Sequence, residues 1–340
     1  MKIQIDIMSK IYDFFKDETV FSISLILAVL SCFFVQPSLN YLNYINWDTI
    51  VLLLVIMIIV EILKNLAIFE VLVRKLLMKV ANTRVLVLVL VFICFFSSIF
   101  ITNDVSLIIF VPFTILALKK VNRLDLTIFT VSLQTIAANV GCMVLPIGAP
   151  HNIVMYTVSK ISFDSFFLLL LPYIMVSVVF MAVLMLLIPN DAIELPSMAK
   201  IERVNENFLK RVFLGVDYYL LLTFIALFVL IGNLENIPYL NSLFKNSIVG
   251  NEVLWGVVSS QVISNVPSAI LLSGFSTNYE AIIVGVNIGG FGTLIASMAN
   301  LISYKILVRE HKEFKIRYLV IFSVLNVVLL LVLSGTYVLL

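Results

Sequence analysis

The sequence predicts an all-α polytopic membrane protein made of two inverted repeats, each with a re-entrant hairpin and a broken transmembrane helix. Three observations predict it. The 340 residues are 62% hydrophobic and 12% charged, with a mean hydropathy of +1.14, too apolar for a soluble domain of this length. Asn139, Gly141, Ile147, Asn152 and Tyr156 recur as Asn287, Gly289, Ile295, Asn300 and Tyr304, each pair offset by 287 − 139 = 148 without a gap. Both copies set small and polar residues inside an apolar span, which hydrocarbon tolerates only where the backbone lines a protein-enclosed cavity. Matched helix interruptions mark the midplane site of a secondary transporter.

The formal net charge of +2 says little, because the placement of charges sets topology and their sum does not. Nothing supports nucleic-acid binding. Residues 1–18 mix Lys2, Lys10 and Lys16 with Asp6, Asp13, Asp17 and Glu18 and lack a small-residue cleavage site, so they do not read as a removable signal peptide. Cys32, Cys94 and Cys142 lie in apolar segments at spacings that fit neither zinc nor a disulfide framework and read as packing residues.

Taken in order, residues 1–48 form an N-terminal segment with an extra helix at 19–36. Repeat 1, residues 49–188, opens with a crossing at 49–63, and an amphipathic stretch at 64–82 fits a helix in the membrane interface or an ordinary cytoplasmic loop helix. A hairpin at 85–118 turns at Thr102-Asn103-Asp104. It leads to a broken helix at 126–156 and a final span at 164–188. A polar cytoplasmic linker, 189–213, joins the halves. Repeat 2, residues 214–340, has a first span, a weaker counterpart of the amphipathic stretch at 233–249, a hairpin at 252–274, a broken helix at 279–304 and a last span. The arms flanking Ser264-Asn265-Val266-Pro267 are too short for two crossings, since a spanning helix needs about 20 residues. The earlier arms are longer, and the duplication argues for a hairpin there too. The expectation is seven crossings plus two hairpins.

With the N-terminus inside and each hairpin returning to its own side, 22 − 2 = 20 of the 22 Lys and Arg residues are cytoplasmic, Lys160 and Lys245 being the exceptions. That bias supports a multi-pass protein of the cytoplasmic (inner) membrane in this orientation.

The candidate chemistry gathers at the tips and the breaks. Thr102, Asn103, Asp104, Ser264 and Asn265 are residue types that cap unpaired N–H groups at a helix start. Gly141 and Gly289 free the backbone, and Pro146 and Pro150 prevent continuous helical bonding in the first copy. Released carbonyls suit a small cation, whereas the N-termini of the following half-helices suit an anion. The expected cation ligands are Asn103, Asp104, Asn139, Gly141, Asn265, Asn287 and Gly289, hard oxygen donors suited to Na⁺. The expected substrate contacts are Thr102, Asn103, His151, Asn152, Ser264, Asn265, Thr293 and Asn300. Asn152 and Asn300 have the alternative of capping the second half-helix. Asp104 is an intramembrane carboxylate, either neutralising Na⁺ or carrying a proton, or else a capping aspartate in an open vestibule. His151 contacts substrate, titrates near neutral pH or is simply packed; its counterpart is Ala299. Glu61, near a helix end, reads as snorkelling to water.

At these residues the chain resembles the ion transporter superfamily, most closely its arsenite permease and D-type Na⁺/H⁺ antiporter branch, often labelled citrate-transporter-like. The matching strings are Thr102-Asn103-Asp104-Val105 running into Ile109-Phe110-Val111-Pro112, Leu145-Pro146-Ile147-Gly148-Ala149-Pro150-His151-Asn152, Ser264-Asn265-Val266-Pro267 and Gly292 through Leu301. The resemblance implies inverted repeats, hairpins meeting broken helices at a midplane site, an elevator-like movement and a homodimer. The divalent-anion:Na⁺ symporters of that superfamily carry Ser-Asn-Thr at both tips. Here both tips keep the Asn and lose the third hydroxyl, which points away from a di- or tricarboxylate.

The expected function is therefore secondary active transport of a small anion or oxyanion, coupled to Na⁺ or H⁺, with no cofactor beyond a Na⁺ coupling ion. The alternatives are a Na⁺/H⁺ antiporter using Asp104, a channel, and, remotely, an intramembrane hydrolase using Asp104 and His151. The expected partners are a small anionic substrate, the lipid bilayer and a second copy.

Overall fold

The computed structural model describes residues 18–66, 80–193 and 208–340. Residues 1–17, most of the amphipathic stretch 64–82 and the middle of the linker lie outside the described residues, and so do the expectations placed on them. Among the described residues the regular structure is helical, apart from one isolated bridge between Asn82 and Ala192.

Among the described residues, three helices precede the first hairpin: α1 (Thr19–Ser31), α2 (Tyr41–Tyr44) and α3 (Trp47–Asn65). The hairpin itself is α4 (Thr83–Ile101) and α5 (Asn103–Lys120), separated by Thr102 alone. α6 (Thr127–Gly141) stops at Gly141, the chain passes through a 3₁₀ turn at Pro146–Gly148, and α7 (Pro150–Ser159) resumes; α8 (Phe163–Leu186) closes the half. The order then repeats. After α9 (Phe208–Gly215), α10 (Tyr218–Glu235) and α11 (Pro238–Ile248) comes a second hairpin, α12 (Glu252–Ile263) and α13 (Asn265–Phe275), split by Ser264 alone. α14 (Tyr279–Gly289), an irregular stretch and α15 (Met298–Glu310) form the second broken helix, and α16 (Lys315–Leu339) ends the chain.

Among the described residues four stretches are long and apolar enough to cross a bilayer: Thr83–Ile101, Phe163–Leu186, Phe208–Glu235 and Lys312–Leu339. α12 and α13, at 12 and 11 residues, reach only about 18 Å at roughly 1.5 Å per residue. α4 is itself long enough to cross, so length alone does not distinguish the first hairpin from a pair of full spans.

Helix ends are held as their sequence dictates. Asn82, Ser162, Asp217 and Asn278 accept from the backbone N–H three residues on and cap α4, α8, α10 and α14. At the far end of α8, Arg84 Nη2 donates to the carbonyls of Leu186 (3.2 Å) and Ile188 (2.9 Å), filling acceptors a helix end leaves open. Thr83 hydrogen-bonds Pro189, and Arg123 pairs with Asp125 and Asp191. Both feet of the first hairpin are thereby tied to residues 186–191. The Arg123 guanidinium, hydrogen-bonded to Asp125, holds that carboxyl below the usual carboxylate range.

The interior divides into two apolar clusters. One joins the hairpins, the broken helices, α8 and α16 through residues such as Leu90, Phe110, Val140, Phe166, Ile288 and Phe322. The other, with Leu53, Ile56, Phe224, Leu227 and Phe228 of α3 and α10, meets Ile101, Ile153, Val154, Val266 and Ile270 of the tips and α7. Because lipid is as apolar as these side chains, close backbone approach through small residues has to supply the packing. α12 meets α14 where Gly256 and Ser260 face Gly285 and Gly289: a Cβ on Gly289 would lie 2.6 Å from the Gly256 carbonyl oxygen and 2.7 Å from Ser260 Oγ. α4 meets α6 in the same way, since a Cβ on Gly141 would collide with the Phe95 carbonyl oxygen and with Ser98 Oγ.

Candidate functional site

The two tips share one backbone conformation. Thr102 has φ 70° and ψ 152°, and Ser264 has φ 73° and ψ 153°, a region that is essentially glycine-only and costs of order 1–3 kcal/mol for other residues. Each residue ends one helix and begins the next, and its carbonyl accepts from the N–H four residues on, Ser106 and Ser268, both at 3.1 Å. Neither hydroxyl caps its helix. The capping role open to residues of these types is therefore not taken up by Thr102 or Ser264, both of which have a positive φ. Ser264 Oγ is buried without a hydrogen-bond partner. At the first tip, Asn103 Oδ1 instead accepts from Asp104 N at 3.0 Å.

Behind the tips, four asparagines cross between the halves. Asn139 Nδ2 donates to Asn300 Oδ1 (2.8 Å), and Asn287 Nδ2 donates to Asn152 Oδ1 (2.7 Å). The offsets are 287 − 139 = 148 and 300 − 152 = 148, so the asparagine before each break bonds the asparagine after the other. The released carbonyls repeat the pattern. Asn152 Nδ2 donates to Cys142 O and Asn300 Nδ2 to Gly290 O, both at 3.0 Å, with 290 − 142 = 148. The contacts are thus reciprocal, residue for residue, at a single offset.

The predicted site residues largely come together. Asn103 Nδ2 donates to Asn139 Oδ1 (2.9 Å), and His151 Nε2 lies 3.2 Å from Asn287 Oδ1. Asn265 N donates to Ala296 O (2.9 Å), and a Cβ on Gly290 would stand 3.0 Å from Asn265 Nδ2. All of these side chains are buried. The amides of Asn152 and Asn300 are spent within the protein, since Asn300 Nδ2 also donates to Thr293 O (3.0 Å) and Asn152 Nδ2 also reaches Asn287 Oδ1 (3.3 Å). Thr293 itself is exposed, its hydroxyl donating to Gln261 O at 3.3 Å, and its side chain does not join the asparagine cluster.

A cavity of about 400 Å³ lies against this layer. Thr102, Asp104, Ser264 and Pro267 line it, together with Pro150 and Met298, the first residues of α7 and α15. The N-terminal turns of four helices (α5, α7, α13 and α15) therefore border one space. The far wall, from α3, α9 and α10, is mainly apolar but carries Glu61 and Asp217, with Glu18 and Lys305 at the edge. Asp104 Oδ1 has no hydrogen-bond partner.

Three contributors were missed by the sequence reading. Gln261 holds the second break, Ser297 donates to Asn139 Oδ1 (3.4 Å), and Asp217 faces the cavity from the opposite wall. Gln261 carried a usable signal, an amide in an apolar arm one turn before a tip; the other two depend on long-range placement.

A model of the citrate transporter family, CitMHS, matches residues 7–278. The inner membrane protein YbiR of Escherichia coli is 32% identical over 307 residues, covering 77% of this chain and 80% of its own. An uncharacterized transporter of Methanocaldococcus jannaschii is 32% identical over 322 residues, covering 84% and 87%. A putative transporter, arsB, of Dictyostelium discoideum is 33% identical over 149 residues, 42% of this chain and 25% of its own.

Proposed function

The chain belongs to the citrate transporter family, a membrane transporter and not an enzyme, and we propose that it carries a small anion or oxyanion across the cytoplasmic membrane, coupled to Na⁺ or H⁺. The observation that carries this reading is the convergence of four helix N-terminal turns on one cavity whose two tips leave their hydroxyls uncapped. Helix N-termini present N–H groups and partial positive charge to an anion. Thr102 and Ser264 are the proposed direct contacts, with Asn103 and Asn265 holding each tip to its break and supplying oxygen to a coupling ion alongside Asn139, Asn287 and the carbonyls of Gly141 and Gly289.

The carboxylates of Asp104 and Asp217 on the same cavity argue for a weakly charged substrate in preference to a di- or tricarboxylate, because like charge at close range is costly in a low-dielectric site. The arsB name of one relative and the family's citrate label bracket the candidates without choosing between them. Two facts support hairpins that dip in and return to their own side. Both feet of the first hairpin bond the segment 186–191 while its tip meets Asn139 near the end of α6, and the feet of the second meet through Ser276 Oγ and Glu252 Oε1 at 2.8 Å. On this reading each broken pair, α6–α7 and α14–α15, crosses jointly, and the halves are inverted. The cluster where α3 and α10 meet α7 and the tips is the surface along which an elevator-like movement would slide.

Purified protein in proteoliposomes, loaded with arsenite, sulfate, citrate or short carboxylates against a Na⁺ or pH gradient, tests the reading. Gradient-driven flux of one of them, lost in Asn103→Ala and Asn265→Ala, is expected; wild-type flux in both variants sinks the assignment. Na⁺/H⁺ antiport is the second reading, favoured by the unpartnered Asp104 Oδ1 at the cavity wall. It requires Na⁺-driven proton flux without added anion, abolished by Asp104→Asn.

A further inference from the structure

Gln261 does something in the second break that nothing does in the first. Its Nε2 lies 2.9 Å from Gly289 O, 3.0 Å from Phe291 O and 3.2 Å from Val257 O, while its Oε1 accepts from Thr293 N at 2.9 Å. The Thr293 bond fixes which end of the amide is nitrogen, because an N–H can only face the oxygen. A single nitrogen, with two hydrogens, thus sits among three carbonyls. Gly292, at φ +108°, makes room for it: a Cβ there would stand 2.5 Å from Gln261 Oε1.

Three convergent carbonyls with no carboxylate make a site for a small positive charge, and here the partly positive end of an amide fills it. The tips are offset by 264 − 102 = 162, so the counterpart of Gln261 is residue 261 − 162 = 99, which is Ile99. The same offset pairs Asp104 with residue 104 + 162 = 266, which is Val266. The asymmetries are complementary. The half with a carboxylate at its tip has no amide donor built into its break, and the half with the amide has no carboxylate at its tip.

We propose that Gln261 occupies, with its own amide, the position a coupling cation would take in the second half, so that any cation is bound from the first half alone. This rests on the cation-coupled reading above, and it revises the part of that reading that gave the Gly289 carbonyl and the side chains of Asn265 and Asn287 to an ion. Gln261 is a positioning and specificity residue: it holds the break open and denies its carbonyls to a free ion.

The test is thermal unfolding of purified protein in detergent, which needs no transport and so separates this proposal from failure of the transport reading. In an Asp104→Asn background, which removes the first-half carboxylate, Gln261→Glu and Gln261→Met are compared at alkaline pH in NaCl, LiCl or choline chloride. The Glu variant places an anion among three carbonyls. It is expected to melt low in choline and to gain a saturable rise of several degrees in Na⁺ or Li⁺, since a ligand of the folded state raises the melting point. The Met variant, of similar length without a donor, is expected to melt low in every salt, and Asp104→Asn alone to show no such cation response. A Glu variant indifferent to cations, a Glu variant unfolded in all of them, or a Met variant as stable as its parent would each overturn the proposal.

Discussion

Replacing Ser264 by Ala and then by Gly separates the two costs concentrated at the second tip. Ser264 sits at φ 73° and ψ 153°, a conformation costing of order 1–3 kcal/mol for a residue with a Cβ. Its buried hydroxyl makes no hydrogen bond, a desolvation cost of about 1–3 kcal/mol. Ser264→Ala removes only the second cost. Ser264→Gly removes both and gives back roughly 0.5–1 kcal/mol of glycine chain entropy. The expected order of stability is Gly above Ala above Ser, with Gly ahead of wild type by roughly 1–5.5 kcal/mol, a shift of several degrees. The assay is a melting curve in detergent without substrate, read from Trp47 and Trp255 fluorescence. If the hydroxyl contacts the transported anion, both variants also lose substrate-induced stabilisation, the usual trade between a strained site and stability. Variants melting below wild type without substrate would refute the reasoning, because the hydroxyl would then be serving the resting fold.

Three further outcomes follow from the same geometry. Gly289→Ala and Gly141→Ala drive a methyl against the carbonyls of Gly256 and Phe95; each should cost about 1–3 kcal/mol, seen as a lower melting point and reduced folded yield. Double-mutant cycles on Asn139–Asn300 and Asn287–Asn152 should return matching coupling energies of about 0.6 kcal/mol and at most about 1.7, the mean and the maximum found for hydrogen bonds between membrane helices; near-zero coupling in one pair alone would break the inverted-repeat reading. Asp125, held below its ordinary value by Arg123, contributes stability that is fully present above its unfolded value near pH 3.9 and is lost as pH falls through the lower folded value. The group is largely exposed, with 59% of its side chain accessible, so salt should weaken the effect, and Asp125→Asn should flatten the acid limb of a melting-point profile.

Much of the site was legible because its signals are local. Gly141 and Gly289 end helices within a residue of where they stop an apolar run, and Pro150 opens α7 at the first helical position. The 148-residue offset in the sequence reappears as offset-matched hydrogen bonds. Thr102 and Ser264 show what local signals leave open. Their residue types favour capping, yet both take a positive φ in the tight turn between two helices, and neither hydroxyl caps its helix. The tips also run on a different offset from the breaks, 162 against 148, because the second hairpin reaches its break in 14 fewer residues, which hid the pairing of Gln261 with Ile99.

The sequence by itself determined the solvent, the duplication, the positions of the interruptions and the polar residues at them, since each depends on composition or on spacing along one chain. Only the tertiary structure decided which asparagine bonds which, that Ser264 Oγ is left without a partner, that Gln261 sits among three carbonyls, and that Asp217 faces the cavity holding Asp104. The asparagine pairs and the Gln261 bonds to Gly289 and Phe291 join residues from roughly 30 to 160 positions apart, and they exist because buried polar groups find partners wherever the packed halves bring them.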